Sequence, residues 1–311
     1  MKRYAIALIG FALFPAPLSA QDNETESIRF ALNDWAGQRI STRIMGEALT
    51  RNGFPVSYVE TQYRQELDRL ADNTIDVAME IWSTTLKQAF QQAVADGNVV
   101  DLGETGMIAV EGWWYPAYMQ DSCPGLPDWT ALNDCAELFA TDTSRPKGFY
   151  LGGPADWGGF DQERIKALDL QFEMSHAKDV GELTDTLKAA YANQEPVMLW
   201  VYSPNFTEAL YDGSWVAFPD YEDACYDDPA WGVNPALAYD CGKPSGPIWK
   251  AGSHRLSKTW PAAEAAIRNF SISNEEMAIL DARIASGGMT VEMVAEEWLD
   301  QNKARWSAWF D

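Results

Sequence analysis

Twice along this chain, short apolar runs alternate with stretches of helical periodicity, and that alternation leaves few folds open. The run Ile28 to Leu32 passes through Asn33-Asp34-Trp35-Ala36-Gly37 into Ile40, Ile44, Ala48 and Leu49 at helical spacing. A run at Val56 to Val59, a helical stretch carrying Leu67 and Leu70, and a run at Ile75 to Ile81 continue the pattern. Parallel strands need a crossover, and a helix that returns the chain also covers the sheet face. The alternation therefore predicts α/β architecture with a parallel sheet. It resumes with strands at Gly148 to Leu151, Gln171 to Met174 and Pro196 to Tyr202, separated by helices from about Phe160 to Leu168 and Val180 to Ala192. An irregular acidic stretch from Pro219 to Pro247 follows, then a strand at Ile248 to Gly252 and helices, one opened by a capping box of Ser273 and Glu276. Two α/β lobes are expected, since a chain of 311 residues exceeds what one core usually organises.

The first residues bear on compartment. Lys2 and Arg3 precede an apolar run from Tyr4 to Phe14, and Leu18, Ser19 and Ala20 form a small-residue cleavage pattern. Residues 1–20 therefore read as a secretory signal peptide, too short to stay as a membrane span. Export agrees with the cysteines, which fall as two close pairs, Cys123 with Cys135 and Cys225 with Cys241. In an oxidising compartment these read as two local disulfides, each contributing about 3 kcal/mol in the chain-entropy model. Zinc is a poor alternative, because the spacings are wide and neither His176 nor His254 stands beside them. A net charge of −23 argues against nucleic acid as a partner. The acidic residues Asp220, Glu222, Asp223, Asp227 and Asp228 could hold a structural Ca²⁺, without the EF-hand spacing; no cofactor is otherwise required.

Fourteen tryptophans are several times what such cores need, and their positions matter more than their number. Ligands of parallel α/β sheets bind beyond the carboxyl ends of the strands. Trp35, Trp82, Trp113, Trp114, Trp157 and Trp200 sit at or near such ends, beside Gly and Asp where there is little core to fill. Trp129, Trp215, Trp231, Trp249, Trp260, Trp298, Trp306 and Trp309 are assigned to packing instead, with Trp298 and Trp306 on amphipathic C-terminal helices. Several indole faces around one point suit a methylated ammonium group, whose spread positive charge meets the negative faces of the rings. Four or five desolvated rings, at about 0.5–2 kcal/mol each, reach roughly the −8 kcal/mol of a micromolar complex before ordering costs. No nucleophile elbow, phosphate loop, metal-ligand spacing or redox cysteine pair supports an enzyme such as a demethylase or hydrolase.

Asn33-Asp34-Trp35, Glu80-Ile81-Trp82, Glu111-Gly112-Trp113-Trp114-Tyr115-Pro116, the Gly-rich turn ending at Trp157, Leu199-Trp200-Val201-Tyr202-Ser203-Pro204 and the closing segment from Trp298 to Trp306 carry a resemblance. In these the chain resembles the glycine betaine, choline and compatible-solute receptors of ABC importers, type II periplasmic binding proteins, and within them the trimethylamine N-oxide receptors. The resemblance implies two lobes joined by two crossing strands, near Glu111 and Val216, with lobe 1 formed by 21–111 and 216–311 and lobe 2 by 112–215. It further implies a ligand cleft closing between the lobes, a periplasmic monomer, and delivery of a methylated amine to a membrane permease; a sensory receptor presenting the same complex is the variant reading. Glu111 departs from the neutral residue common at that position in the family. A carboxylate there would repel glycine betaine and favour a ligand offering a cation or a donor, such as choline or a protonated N-oxide oxygen.

Overall fold

The computed structural model describes residues 26–311, so the signal-peptide reading lies outside the described residues. Strands β1 (Ile28–Leu32), β2 (Val56–Glu60) and β3 (Val77–Trp82) pair in parallel, with β1 in the middle. The helices between them, Ala36–Arg51 and Glu66–Ala71, form where the spacing predicts. Ile40, Ile44, Met45, Ala48 and Leu49 of the first are fully buried, each larger apolar side chain contributing about 1.5–3 kcal/mol of burial. β3 begins later than the apolar run suggests, because the amide of Ile75 is already bonded to the Arg69 carbonyl in the preceding turn.

The long strand β4 (Val100–Pro116) organises the rest. Its first part pairs antiparallel with β10 (Gly246–Gly252), which lies against β3, and from Val110 to Trp114 it pairs instead with β8 (Leu199–Ser203). Beyond β8 come β6 (Gly148–Gly152) and β7 (Phe172–His176), both parallel, while β9 (Gly213–Trp215) pairs with the end of β4. The short strand β5 (Pro124–Pro127) stands outside this order. The result is one sheet of order β2-β1-β3-β10-β4-β8-β6-β7 whose two parallel ends belong to different lobes and share β4. β4 changes partner between Ala109 and Val110, next to Glu111.

The acidic stretch departs from the expected division. Residues 225–241, within the 216–311 that the resemblance places in lobe 1, are fastened to the second lobe. Buried Arg164 donates from Nε to the Cys241 carbonyl at 2.5 Å, Asn234 donates to the Ala167 carbonyl at 2.7 Å, and Tyr239 stacks on Phe160. The Cys225–Cys241 disulfide closes this segment, and Cys123–Cys135 closes another within the second lobe. Helix Asn274–Ala285 leans across the junction, where the Asp281 carboxylate accepts the Phe206 amide at 3.0 Å and Asn274 donates to Ser203. Among the described residues no helix is long and apolar enough to cross a membrane.

Candidate functional site

β3 runs directly into a helix and β1 reaches one through the short turn Asn33-Asp34, so Trp35 and Trp82 each occupy the residue just before a helix begins, at the carboxyl edge of the sheet. Trp157 ends a short turn of helix after β6. Trp200 and Tyr202, two apart on β8, share one face of that strand. Gly153 permits the approach of the β6 loop: a Cβ there would stand 3.0 Å from the Trp200 ring.

These rings come together across the lobe junction. Trp35 meets Trp157 at 5.7 Å and Trp82 at 6.5 Å between centroids, while Trp82 meets Tyr202 and Trp157 meets Trp200 at 5.5 and 5.4 Å. The interplanar angles of these pairs lie between 68° and 86°, so the rings stand as walls rather than a stack. They line a cavity of about 30 Å³, completed by Tyr63, Thr85 and Glu111. Burial pushes the Tyr63 and Tyr202 phenols well above their usual range, so both present neutral rings.

Five residues singled out from the sequence, Trp35, Trp82, Glu111, Trp157 and Trp200, thus line one cavity. Trp113 and Trp114, expected beside them from the sequence, do not line it. Neighbours in a strand point to opposite faces, so Trp113 and Trp114 cannot both look into the cleft. Trp114 packs on Tyr191 and above Gly213, on the face away from the cavity. Trp113 lies directly across from Trp200 on the same face, but its ring is stacked on Tyr150 at 3.9 Å with its Nε1–H donated to Asp161. Tyr63 carries no sequence signal, as a lone Tyr in a polar stretch, whereas Tyr202 is signalled by its place two residues from Trp200 on one strand.

Glu111 is mostly buried. Thr84 donates its hydroxyl to Glu111 Oε1, and Lys243 Nζ stands 3.9 Å from Oε2 and 3.3 Å from Asp161. Behind the cage, the Glu80 carboxylate accepts the indole N–H of both Trp35 and Trp82, each at 3.1 Å, on the same oxygen. Burial raises the Glu80 carboxyl to about 7 against the opposing effect of these bonds. The carboxylates of the acidic stretch serve local bonds: Asp223 accepts from Tyr221 and Asp228 from the Ala230 amide. Among the described residues no group of three or more His, Cys, Asp or Glu is arranged to hold a metal ion.

Two α/β lobes sharing a strand, with an aromatic cavity at the carboxyl edges between them, define a cleft-type solute receptor. The substrate-binding domain of the ABC-type glycine betaine transport system matches residues 26–301, and the chain belongs to that family. It is 28% identical over 314 residues, spanning 99% of this chain and 96% of the relative, to a trimethylamine N-oxide-binding protein of Pelagibacter ubique (strain HTCC1062). Its fold is similar to that of lactococcal OpuAC in its closed form with glycine betaine, at a TM-score of 0.69 and 18% identity, covering 92% of this chain and all of that one. An ABC-transporter choline-binding protein with choline follows at 0.66 and 16%, covering 91% of each chain.

Proposed function

We propose that the protein is the periplasmic receptor of an ABC importer and captures a methylated-ammonium compound, trimethylamine N-oxide above the others, for delivery to a membrane permease. The observation that carries this is the convergence of Trp35, Trp82, Trp157 and Trp200 with two neutral tyrosines around one cavity. Such walls attract a diffuse cation through the negative faces of their rings. The lobes would close over the ligand about β4 near Glu111 and the return near Val216, excluding water and strengthening each ring contact. The relative from Pelagibacter supports the same reading.

Size and charge separate the ligands within the class. A cavity of about 30 Å³ corresponds to roughly two or three water sites, which favours a compact, nearly spherical ligand over the longer chain of carnitine. Glu111 at its edge disfavours the free carboxylate of glycine betaine. It suits an N-oxide oxygen that shares a proton with it, in a short charge-assisted bond. Calorimetric titration against trimethylamine N-oxide, choline, glycine betaine and carnitine tests the reading, and trimethylamine N-oxide should bind tightest. Glu111→Gln should narrow the gap between trimethylamine N-oxide and glycine betaine; no binding of any of the four would refute the proposal.

A further inference from the structure

From the way one buried carboxylate holds two walls of the cage, we infer that Glu80 is a positioning and specificity-determining residue: its negative charge, passed through the indole N–H bonds of Trp35 and Trp82, sets how strongly the cage prefers a cation. This deepens the proposed function and rests on it. Glu80 is 1% exposed and does not line the cavity, so it acts through the rings and not on the ligand. An N–H donated to an anion makes the indole more electron-rich, and its face more negative towards a positive charge opposite. A neutral acceptor would orient the rings equally well but would not enrich them.

Two further features fit this role. First, no ion pair within 4.0 Å holds Glu80 among the described residues. The titratable groups facing it are acids: Asp281 from helix Asn274–Ala285, Glu66 from helix Glu66–Ala71, Tyr63, and Tyr202 of β8. A buried anion without a counter-charge is costly, so a cation arriving on the other side of the two rings supplies what the fold leaves out. Second, Glu80 can change its proton without losing its bonds. Ser41 Oγ lies 3.0 Å from Glu80 Oε1 and 3.0 Å from the Gln38 carbonyl. Its hydroxyl donates to an ionised Glu80, or turns to Gln38 and accepts from a protonated one. The cage thereby has a strong and a weak state, and cation binding favours the ionised, strong one.

Calorimetry of the protein with trimethylamine N-oxide and with tetramethylammonium chloride, a probe of fixed charge, tests this in wild type and Glu80→Gln. Glutamine keeps an acceptor for the indoles and a donor for Ser41, so it removes the charge and retains the geometry. At about pH 8 the variant should bind tetramethylammonium about tenfold more weakly, with the difference shrinking towards about pH 6 as the wild-type carboxyl takes up its proton. Wild type near neutrality should release protons on binding tetramethylammonium, seen as an enthalpy that depends on the buffer, and Glu80→Gln should release fewer. Equal affinities in the two proteins, or proton release that persists undiminished in the variant, would overturn the inference and leave the cage reading intact. Should the variant fail to fold, the wild-type series still decides: affinity for tetramethylammonium that is flat with pH, with no proton release, overturns it. Wild type that binds neither probe refutes the cage reading itself, and this inference with it.

Discussion

Trp35 and Trp82 stand at strand ends with both indole N–H groups given to a buried, ionisable carboxylate, whereas Trp298, Trp306 and Trp309 lie in a C-terminal cluster with no such group behind them. There Trp298 stacks on Trp309 at 6.0 Å, and Trp306 donates its N–H to the Leu299 carbonyl, a neutral acceptor inside its own segment. The cage rings stand nearly perpendicular around a void; the C-terminal rings fill space against Phe270 and Phe310. Burial is nearly equal, at 5% exposure for both Trp35 and Trp298. Hydrophobic burial therefore does not separate a cavity-lining tryptophan from a packing one; what each face looks at does.

The comparison can be broken most forcefully at the packed end. Trp298→Ala should cost about 3–5 kcal/mol in denaturant unfolding, while the folded fraction keeps its affinity within about twofold. A loss of affinity without a loss of stability would erase the distinction.

A pH series on the ligand-free protein sharpens it next. Burial raises Glu80 to about 7 and Asp281 to about 6, against ordinary values of 4.5 and 3.8. The folded state therefore holds protons that the unfolded state has lost. The associated stability is complete below about pH 4 and disappears as pH rises through 6 and 7, on the order of 1–3 kcal/mol between pH 5 and pH 8. Glu66, also raised by burial, acts with the same sign. Asp76 acts oppositely, because bonds from Arg29 and Arg255 outweigh its burial and hold it low, so its stability is lost only at more acid pH. Thermal melts of wild type and Glu80→Gln should converge towards pH 5 and separate towards pH 8, the variant being the more stable.

Removing one wall, Trp82→Ala or Trp35→Ala, should weaken trimethylamine N-oxide at least tenfold, about 1.4 kcal/mol, with a smaller loss of folding stability than Trp298→Ala because one ring face borders the cavity. Unchanged affinity in both variants would remove these rings from the site. Smallest of all is the effect of Trp114→Phe, expected to change affinity less than twofold because that ring packs on Tyr191, away from the cavity.

Much of this was legible from residue order. The strand-helix alternation foretold the two parallel halves, the close cysteine pairs foretold both disulfides, and Trp35, Trp82, Trp157 and Trp200 stood where α/β sheets present ligands. What residue order left open has a common form. Trp113 and Trp114 shared a motif with Glu111, and a motif does not say which face of a strand each residue takes or how deep it lies. The acidic stretch followed the second lobe in sequence, yet its attachment there depends on Arg164 reaching the Cys241 carbonyl, a contact between residues far apart in the chain.

Local information, the period of the apolar residues and the chemistry of single side chains, settled which segments become strands and which residue types could meet a methylated nitrogen. Distance along the chain carries no record of which ring faces which. Only the folded molecule decided that one oxygen of Glu80 would receive two indoles, that Tyr63 and Tyr202 would close the walls, and that Trp113 would lie beneath them. The reason is that pairing register, strand face and lobe contact are set by long-range packing, in which each position depends on all the others at once.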